Sequence, residues 1–365
     1  MIAYPDVAFA DLKVRRRAPE TAHVVKLSGG AASAVTAAIV AEEVGAENVH
    51  HVFTDTLIEH NDLYRFLIEF VGRLHGVDVA DLLPLALALP QVWEDERGRK
   101  AALGDLRLRA CARLPMLHWL SDGRHPFEVF NDVRMMGSSR VDPCSLYLKR
   151  AISDAFIAKR WTPSTAVLYV GIAHHERARF EGRWERLNPR RLPARLKLLA
   201  RLGLPADVRP DGSVFRPGIV HYMRPWECRS PLVGVPALTK PEMLGFLRSM
   251  GIEPARLYAL GFPTNNCGGG CVKAGHAWWL HLLRTIPPMF FWWERNEAGF
   301  IARTGNPRAS ILNDRRNGMR EPYTLTQFRE DVERQTDLTA LFLTSDEGCG
   351  GGCALPSDIE LARAA

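Results

Sequence analysis

No stretch of about eighteen uncharged apolar residues occurs in the 365-residue chain, so a membrane-spanning helix is not expected. The most apolar segment, Ala277 to Trp293, is interrupted by His281, Arg284 and the Pro287-Pro288 pair. The first residues lack the apolar core of a signal peptide, because Asp6 and Asp11 fall within them. No internal repeat of solenoid length is present. Neither Gly-x-x-x-x-Gly-Lys-Ser/Thr nor Gly-x-Gly-x-x-Gly occurs, which removes the two commonest phosphate-loop signatures. With 47% hydrophobic and 24% charged residues, the balance is that of a globular protein with ample core. The expected location is cytoplasmic, with no membrane partner.

The charge that is present is unevenly placed. Between His174 and Arg201 nine Lys/Arg face three Glu, so this segment alone carries the net +6 of the whole chain. Such a stripe suits nucleotide phosphates or a nucleic-acid backbone; a solvated helical face is the alternative. The cysteines are also clustered. Four of the seven form two identical pentads, Cys267-Gly-Gly-Gly-Cys271 and Cys349-Gly-Gly-Gly-Cys353. In a reducing compartment short cysteine spacings indicate metal or redox chemistry before disulfides. Four thiolates suit zinc or an iron–sulfur cluster equally by count; small Gly-rich turns with buried thiols are the structural alternative. Cys111 and Cys228 stand in no motif and read as core thiols.

Periodicity predicts strands at His23–Leu27, Val49–Thr54 and Val167–Ile172, with helical patterns at Ala31–Val44, Glu59–Leu74 and Lys240–Met250. Thr239 is the expected N-cap of the last and Gly251 its stop. The segment Glu94–Arg113 reads as a charged helix or an excursion, and Pro189–Pro217 as a long loop or insertion. After Cys267 the pattern is helical (Ala274–Arg284, Pro288–Ile301, Thr326–Arg334) without further strong strands. The expected class is α/β, with a mostly parallel, doubly wound sheet and a helical, Cys-containing C-terminal part. A soft boundary near Pro263 divides residues 15–263 from residues 264–365. Trp278, Trp279, Trp292 and Trp293 recur at helical spacing and are expected in the core; His174 and His175 are expected at the surface.

Ser28-Gly29-Gly30-Ala31-Ala32-Ser33 sits where the first strand hands over to a helix. Glycines permit a tight turn, and free amides at a helix start attract an anion; an ordinary βα turn is the plain reading. The loop resembles the pyrophosphate loop of the adenine nucleotide alpha-hydrolase superfamily, the N-type ATP pyrophosphatases. Further stretches, in order, resemble its phosphoadenosine phosphosulfate (PAPS) reductase branch: Phe53-Thr54-Asp55-Thr56 with Glu59, Cys144-Ser145-Leu146-Tyr147-Leu148-Lys149, Tyr169-Val170-Gly171-Ile172 with Glu176-Arg177, and Pro231-Leu232 followed by Leu257-Tyr258-Ala259-Leu260-Gly261-Phe262. The likeness covers roughly residues 23 to 275.

This resemblance implies a Rossmann-like domain of the HUP type that binds ATP, or PAPS or its unphosphorylated counterpart, with Mg²⁺. It implies nucleotide contacts from Ser28, Gly29, Gly30, Ser33, Asp55, Thr56, Gly171 and Arg177, and catalytic roles for Asp55 and Lys149. The chain departs from the family at Ala31 and Ala32, where Lys with Asp or Thr is usual; Asp55 is then the candidate magnesium carboxylate, and Lys149, Arg140 and Arg177 the candidate replacement cations. A cluster, expected as 4Fe-4S with zinc as the alternative, would be held by Cys267, Cys271, Cys349 and Cys353, or by Cys144, Cys267 and Cys271. The activity implied is cleavage of ATP at the α-phosphate, followed by sulfur transfer to a nucleobase or nucleic acid, with a sulfur-donor protein as a candidate partner. The alternatives are a sulfonucleotide reductase and a binding module that no longer turns over.

Overall fold

The structure, a computed structural model, describes residues 21–137, 142–234 and 237–334. Along the chain come β1 (Ala22–Lys26), α1 (Ala31–Val44), β2 (Val49–Asp55), α2 (Asn61–Leu74), α3 (Leu83–Leu87), α4 (Glu96–Arg113), β3 (Leu117–Ser121) and α5 (Pro126–Val133). A π-helical stretch, Ser145–Ala151, runs into α6 (Ile152–Arg160) and then β4 (Ala166–Val170). The basic region folds as α7 (Arg177–Glu181), β5 (Gly182–Arg186), α8 (Leu192–Arg201), β6 (Ser213–Pro217) and α9 (Ile219–Tyr222). β7 (Glu227–Arg229), α10 (Lys240–Ser249), α11 (Arg256–Ala259), α12 (His276–Thr285), α13 (Pro287–Thr304), β8 (Leu312–Asp314), β9 (Glu321–Tyr323) and α14 (Leu325–Glu333) complete it.

The protein is mixed α/β, built on a central five-stranded parallel sheet in the order β3-β2-β1-β4-β7. β1 pairs with β4 from Ala22↔Ala166 to Lys26↔Val170, and β4 pairs with β7 from Val167↔Glu227. Val24, Val25, Val167 and Leu168 are all buried, the continuous apolar run of a strand covered on both faces. None of the described helices is long and apolar enough to cross a membrane.

Contacts divide the chain into two compact units, each discontinuous in sequence. The first holds the segments up to Leu27, Ala31–His51 and Arg160–Ile252. Here α1, rich in Ala and Val and buried over most of its surface, packs beside α10. α10 begins with Thr239 as its N-cap, as expected from the sequence, and Glu242 completes a capping box. The segment read as a long loop or insertion contains α8 and β6. Leu199 and Val214 are buried, and two such short apolar anchors are masked by the surrounding Arg and Pro. Trp184 of β5 stacks tilted on Phe215 of β6 and carries the Arg209 guanidinium 4.0 Å above its ring.

The second unit comprises Ser28–Gly30, Val52–Lys159 and the chain from Glu253 onward. Its core is aromatic: Trp278, Trp279, Trp292 and Trp293 are buried with Phe127, Phe130, Phe290 and Phe328, so the tryptophans pack as expected. Pro287 and Pro288 open α13, where a missing N–H costs no helical bond, and Gly305 ends it in the left-handed conformation. The hairpin β8–β9 was not foreseen; three residues per strand are too few to show an alternation.

Candidate functional site

The contacts around the glycine turn and the first pentad lie in the second unit. Gly29 adopts φ +76, and a Cβ there would stand 2.7 Å from the Leu63 side chain, so this turn requires glycine. Its carbonyl oxygen accepts a hydrogen bond from the Asn265 side-chain amide at 3.2 Å. A Cβ on Gly30 would lie 3.2 Å from the Tyr258 hydroxyl, and Ser28 is exposed. The Ser28–Gly30 turn is thus held against the segment that runs into Cys267. Asn265 is buried, and its carbonyl oxygen has no hydrogen-bond donor among the described residues.

β2 ends in Asp55, whose carboxylate is buried and accepts from the Leu57 amide (2.7 Å), the Tyr64 hydroxyl (2.8 Å) and the Trp119 indole (3.0 Å). Burial pushes the Asp55 carboxyl above its usual value, while these three donors pull it down. Two donors on Oδ1 and one on Oδ2 of a buried carboxylate suit an anchor of the following loop rather than the open magnesium carboxylate anticipated from the sequence. Arg99, fully buried on α4, completes the anchor by donating to the backbone oxygens of Leu57, Glu59 and Pro90 and to the Asn61 side chain. Nothing in the charged sequence of α4 distinguishes Arg99 from its neighbours.

The loop so anchored presents Glu59. Its carboxylate accepts from the Thr56 hydroxyl at 2.9 Å and from the Cys267 backbone amide, and Lys149 stands 3.9 Å away. Thr56 therefore positions Glu59. Burial raises the Glu59 carboxyl above its ordinary value and the Lys149 ammonium opposes this. Burial also works against the charge of Lys149, but the neighbouring Cys267, Glu59, Cys144 and Cys271 outweigh it and lift its titration above the usual lysine value. Burial pushes the Cys144 thiol up to about 12, with Cys267 and Asp142 adding to the effect. The Cys267 thiol is raised as well, again chiefly by burial, with Lys149 pulling it down.

The first pentad has a steric reason for its glycines. Cys267 itself adopts φ +54, a left-handed backbone that costs a side-chain residue about 1–3 kcal/mol. Gly268 passes so close to Ile58 that a Cβ would meet its carbonyl oxygen at 2.4 Å, and a Cβ on Gly270 would meet the Trp293 indole nitrogen at 2.0 Å. The Trp278 indole donates to the Gly269 carbonyl at 2.6 Å. Cys271 accepts from the Lys273 amide at 3.5 Å, and Lys273 pairs with Asp142 at 2.6 Å. Cys144, Cys267 and Cys271 form no disulfide and pack, partly buried, at the edge of the aromatic core.

Among the described residues no three or more His, Cys, Asp or Glu side chains are grouped so as to hold a metal ion. The thiols of Cys144, Cys267 and Cys271 belong to no such group. Cys349, Cys353 and Arg140 lie outside the described residues. In the first unit, Gly171 closes the end of β4, where a Cβ would lie 2.4 Å from the Ser33 backbone; both serve the packing of α1 on the strand. Arg177 is exposed and pairs with Glu181 at 2.7 Å, and Arg179 pairs with Glu176 at 2.8 Å. Part of the basic stripe is thereby neutralised internally. His174 sets its Nδ1 against the carbonyl oxygens of Val233 and Gly234 at 3.0 and 3.1 Å.

Comparison with known proteins finds no matching family model, curated protein or solved structure.

Proposed function

We propose that the chain is a nucleotide-binding enzyme of the PP-loop type, akin to the PAPS reductase branch, that cleaves ATP at the α-phosphate and delivers sulfur to a nucleobase or nucleic-acid acceptor. One observation carries this reading: the Asn265 amide on the Gly29 carbonyl, which joins the glycine turn to the loop bearing Cys267. The strand order supports the finer fold assignment. It reverses at β1, as in Rossmann-like doubly wound sheets of the HUP type, whose ligands lie beyond strand carboxyl ends at such a reversal.

In this reading Ser28 and the amides of Gly29 and Gly30 receive the phosphates. The buried carbonyl oxygen of Asn265 takes a hydroxyl or amino donor of the nucleotide. An acceptor oxygen attacks the α-phosphorus, pyrophosphate leaves, and a sulfur nucleophile then displaces AMP from the adenylated acceptor. Lys149 supplies positive charge beside the thiols of Cys144, Cys267 and Cys271, and Glu59 holds the Cys267 backbone in place. No step is assigned to a metal, since the described donors do not compose a site for one.

The thiols of Cys144, Cys267 and Cys271 near Lys149 also favour a second reading, reduction of a sulfonucleotide without ATP. Incubation of the full chain with radiolabelled ATP and candidate nucleic acids separates the two. Release of AMP and pyrophosphate dependent on acceptor supports the first. Sulfite released from PAPS or its unphosphorylated counterpart by a thiol donor, with no ATP requirement, selects the second. Retained nucleotide binding with neither product would assign a binding module. Iron, sulfide and zinc analysis of anaerobically purified chain tests whether the pentads carry metal.

A further inference from the structure

A cavity of about 330 Å³ opens in the second unit, and none of the thiol-site residues lines it. Its volume falls at the lower end of the ~300–1,000 Å³ common for small-molecule sites. Arg134, Arg308 and Arg320 line it together with the apolar Met136, Phe300 and Pro322, and no Asp or Glu contributes.

Local structure brings these residues together. Arg134 ends α5 in a left-handed conformation, which turns the chain into Met135 and Met136. Arg308 follows the stop of α13 at Gly305. The β8–β9 register sets Asn313 opposite Pro322, and Asn313 accepts from the Nε of Arg320 at 2.8 Å, fixing that guanidinium. Other arginines of the unit are engaged: Arg316 with Asp314, Arg329 with Glu294, and Arg303 with Asn131. Among the described residues no carboxylate pairs with Arg134, Arg308 or Arg320.

Three like charges around one concavity repel each other, and an anion relieves that cost. Guanidinium is suited to paired hydrogen bonds with oxyanions. A carboxylate offers two oxygens, whereas a phosphate monoester offers three and close to two charges. The cavity is larger than orthophosphate alone needs, and its apolar lining residues would pack the remainder of the ligand. We propose that this cavity binds a phosphate monoester with an apolar or aromatic body, of the size of a nucleoside monophosphate.

Calorimetric titration of the full chain with AMP, with orthophosphate and with a single-stranded oligonucleotide tests this. AMP should bind more tightly than orthophosphate, and more weakly as salt rises. The double variant Arg308→Gln, Arg320→Gln should weaken AMP binding about tenfold or more, with an unchanged thermal melt and unchanged ATP cleavage. Ser28→Ala should leave this AMP binding intact, which separates the cavity from the phosphate turn. Unaltered AMP binding in the double variant overturns the proposal. So does equal affinity for orthophosphate and AMP, which leaves the apolar lining residues idle, or an arginine-dependent affinity confined to the oligonucleotide.

Discussion

The side chain of Asn265 reaches across 236 positions of sequence to hydrogen-bond the carbonyl of Gly29. A turn that receives phosphates works only if its amides are held in one orientation, and this bond restrains the peptide that carries one of them. Asn265→Leu keeps approximate volume and removes both the tether and the buried acceptor. We expect a raised KM for ATP, by about tenfold for one lost hydrogen bond to a charged or polar ligand, with a smaller change in kcat. Steady-state pyrophosphate release measures it; an unchanged KM would detach Asn265 from nucleotide binding.

Gly268→Ala and Gly270→Ala should each destabilise the protein by about 1–3 kcal/mol, because the added Cβ meets the Ile58 carbonyl oxygen or the Trp293 ring. Gly245 provides the contrast. It lies within α10 with open space around it, so Gly245→Ala should stabilise by about 0.5–1 kcal/mol. Denaturant unfolding of the three variants gives the comparison, and equal effects at the three positions would contradict the packing of the pentad.

Lys149→Met should slow alkylation of Cys267 by iodoacetamide at fixed pH. The ammonium lowers the titration of that thiol, and the thiolate is the reacting form. Lys149→Arg should restore much of the rate. Peptide mapping of the labelled chain reads Cys267 separately from Cys144 and Cys271, and an equal or faster rate in Lys149→Met would contradict the charge relationship.

Glu297 gives a pH-dependent contribution to stability. Its oxygens accept from the Ile311 and Leu325 amides at 2.7 and 2.6 Å, yet burial raises the carboxyl from 4.5 to about 7. The folded state then holds a proton that the unfolded chain has released. The stabilisation is complete below about 4.5 and is lost as pH rises towards about 7, by at most about 3 kcal/mol. Thermal unfolding across that window should show the decline, and Glu297→Gln should flatten it while lowering overall stability. A wild-type profile that rises from pH 4.5 to 7 would contradict the assignment.

Much of the scaffold was legible. Strands β1, β2 and β4, helix α2 and the capped helix α10 lie within a few residues of their expected places. β1 and β4 carry continuous apolar runs, α2 repeats its apolar residues at the helical period, and the four tryptophans recur at helical spacing. The short strands β3, β7, β8 and β9 went unread, because they lack the continuous apolar run that marks β1 and β4 and their pairing is set by distant partners. Of the candidate site, Ser28–Gly30, Glu59, Lys149 and the first pentad were visible as motifs. Asn265 was not, although it directly precedes the Asn266-Cys267 step.

The amino-acid sequence alone determined the alternation of strand and helix, the glycine turn after β1, the position of the charge and the paired pentads. Each is written in neighbouring residues, because backbone conformation and local burial depend on them. Only the tertiary structure decided that Asp55 is consumed by Tyr64 and Trp119, that Gly268 and Gly270 serve close packing, and that Arg134, Arg308 and Arg320 share one cavity. Those outcomes depend on contacts between residues far apart in the chain, and no local pattern records which distant group will fill a carboxylate's lone pairs.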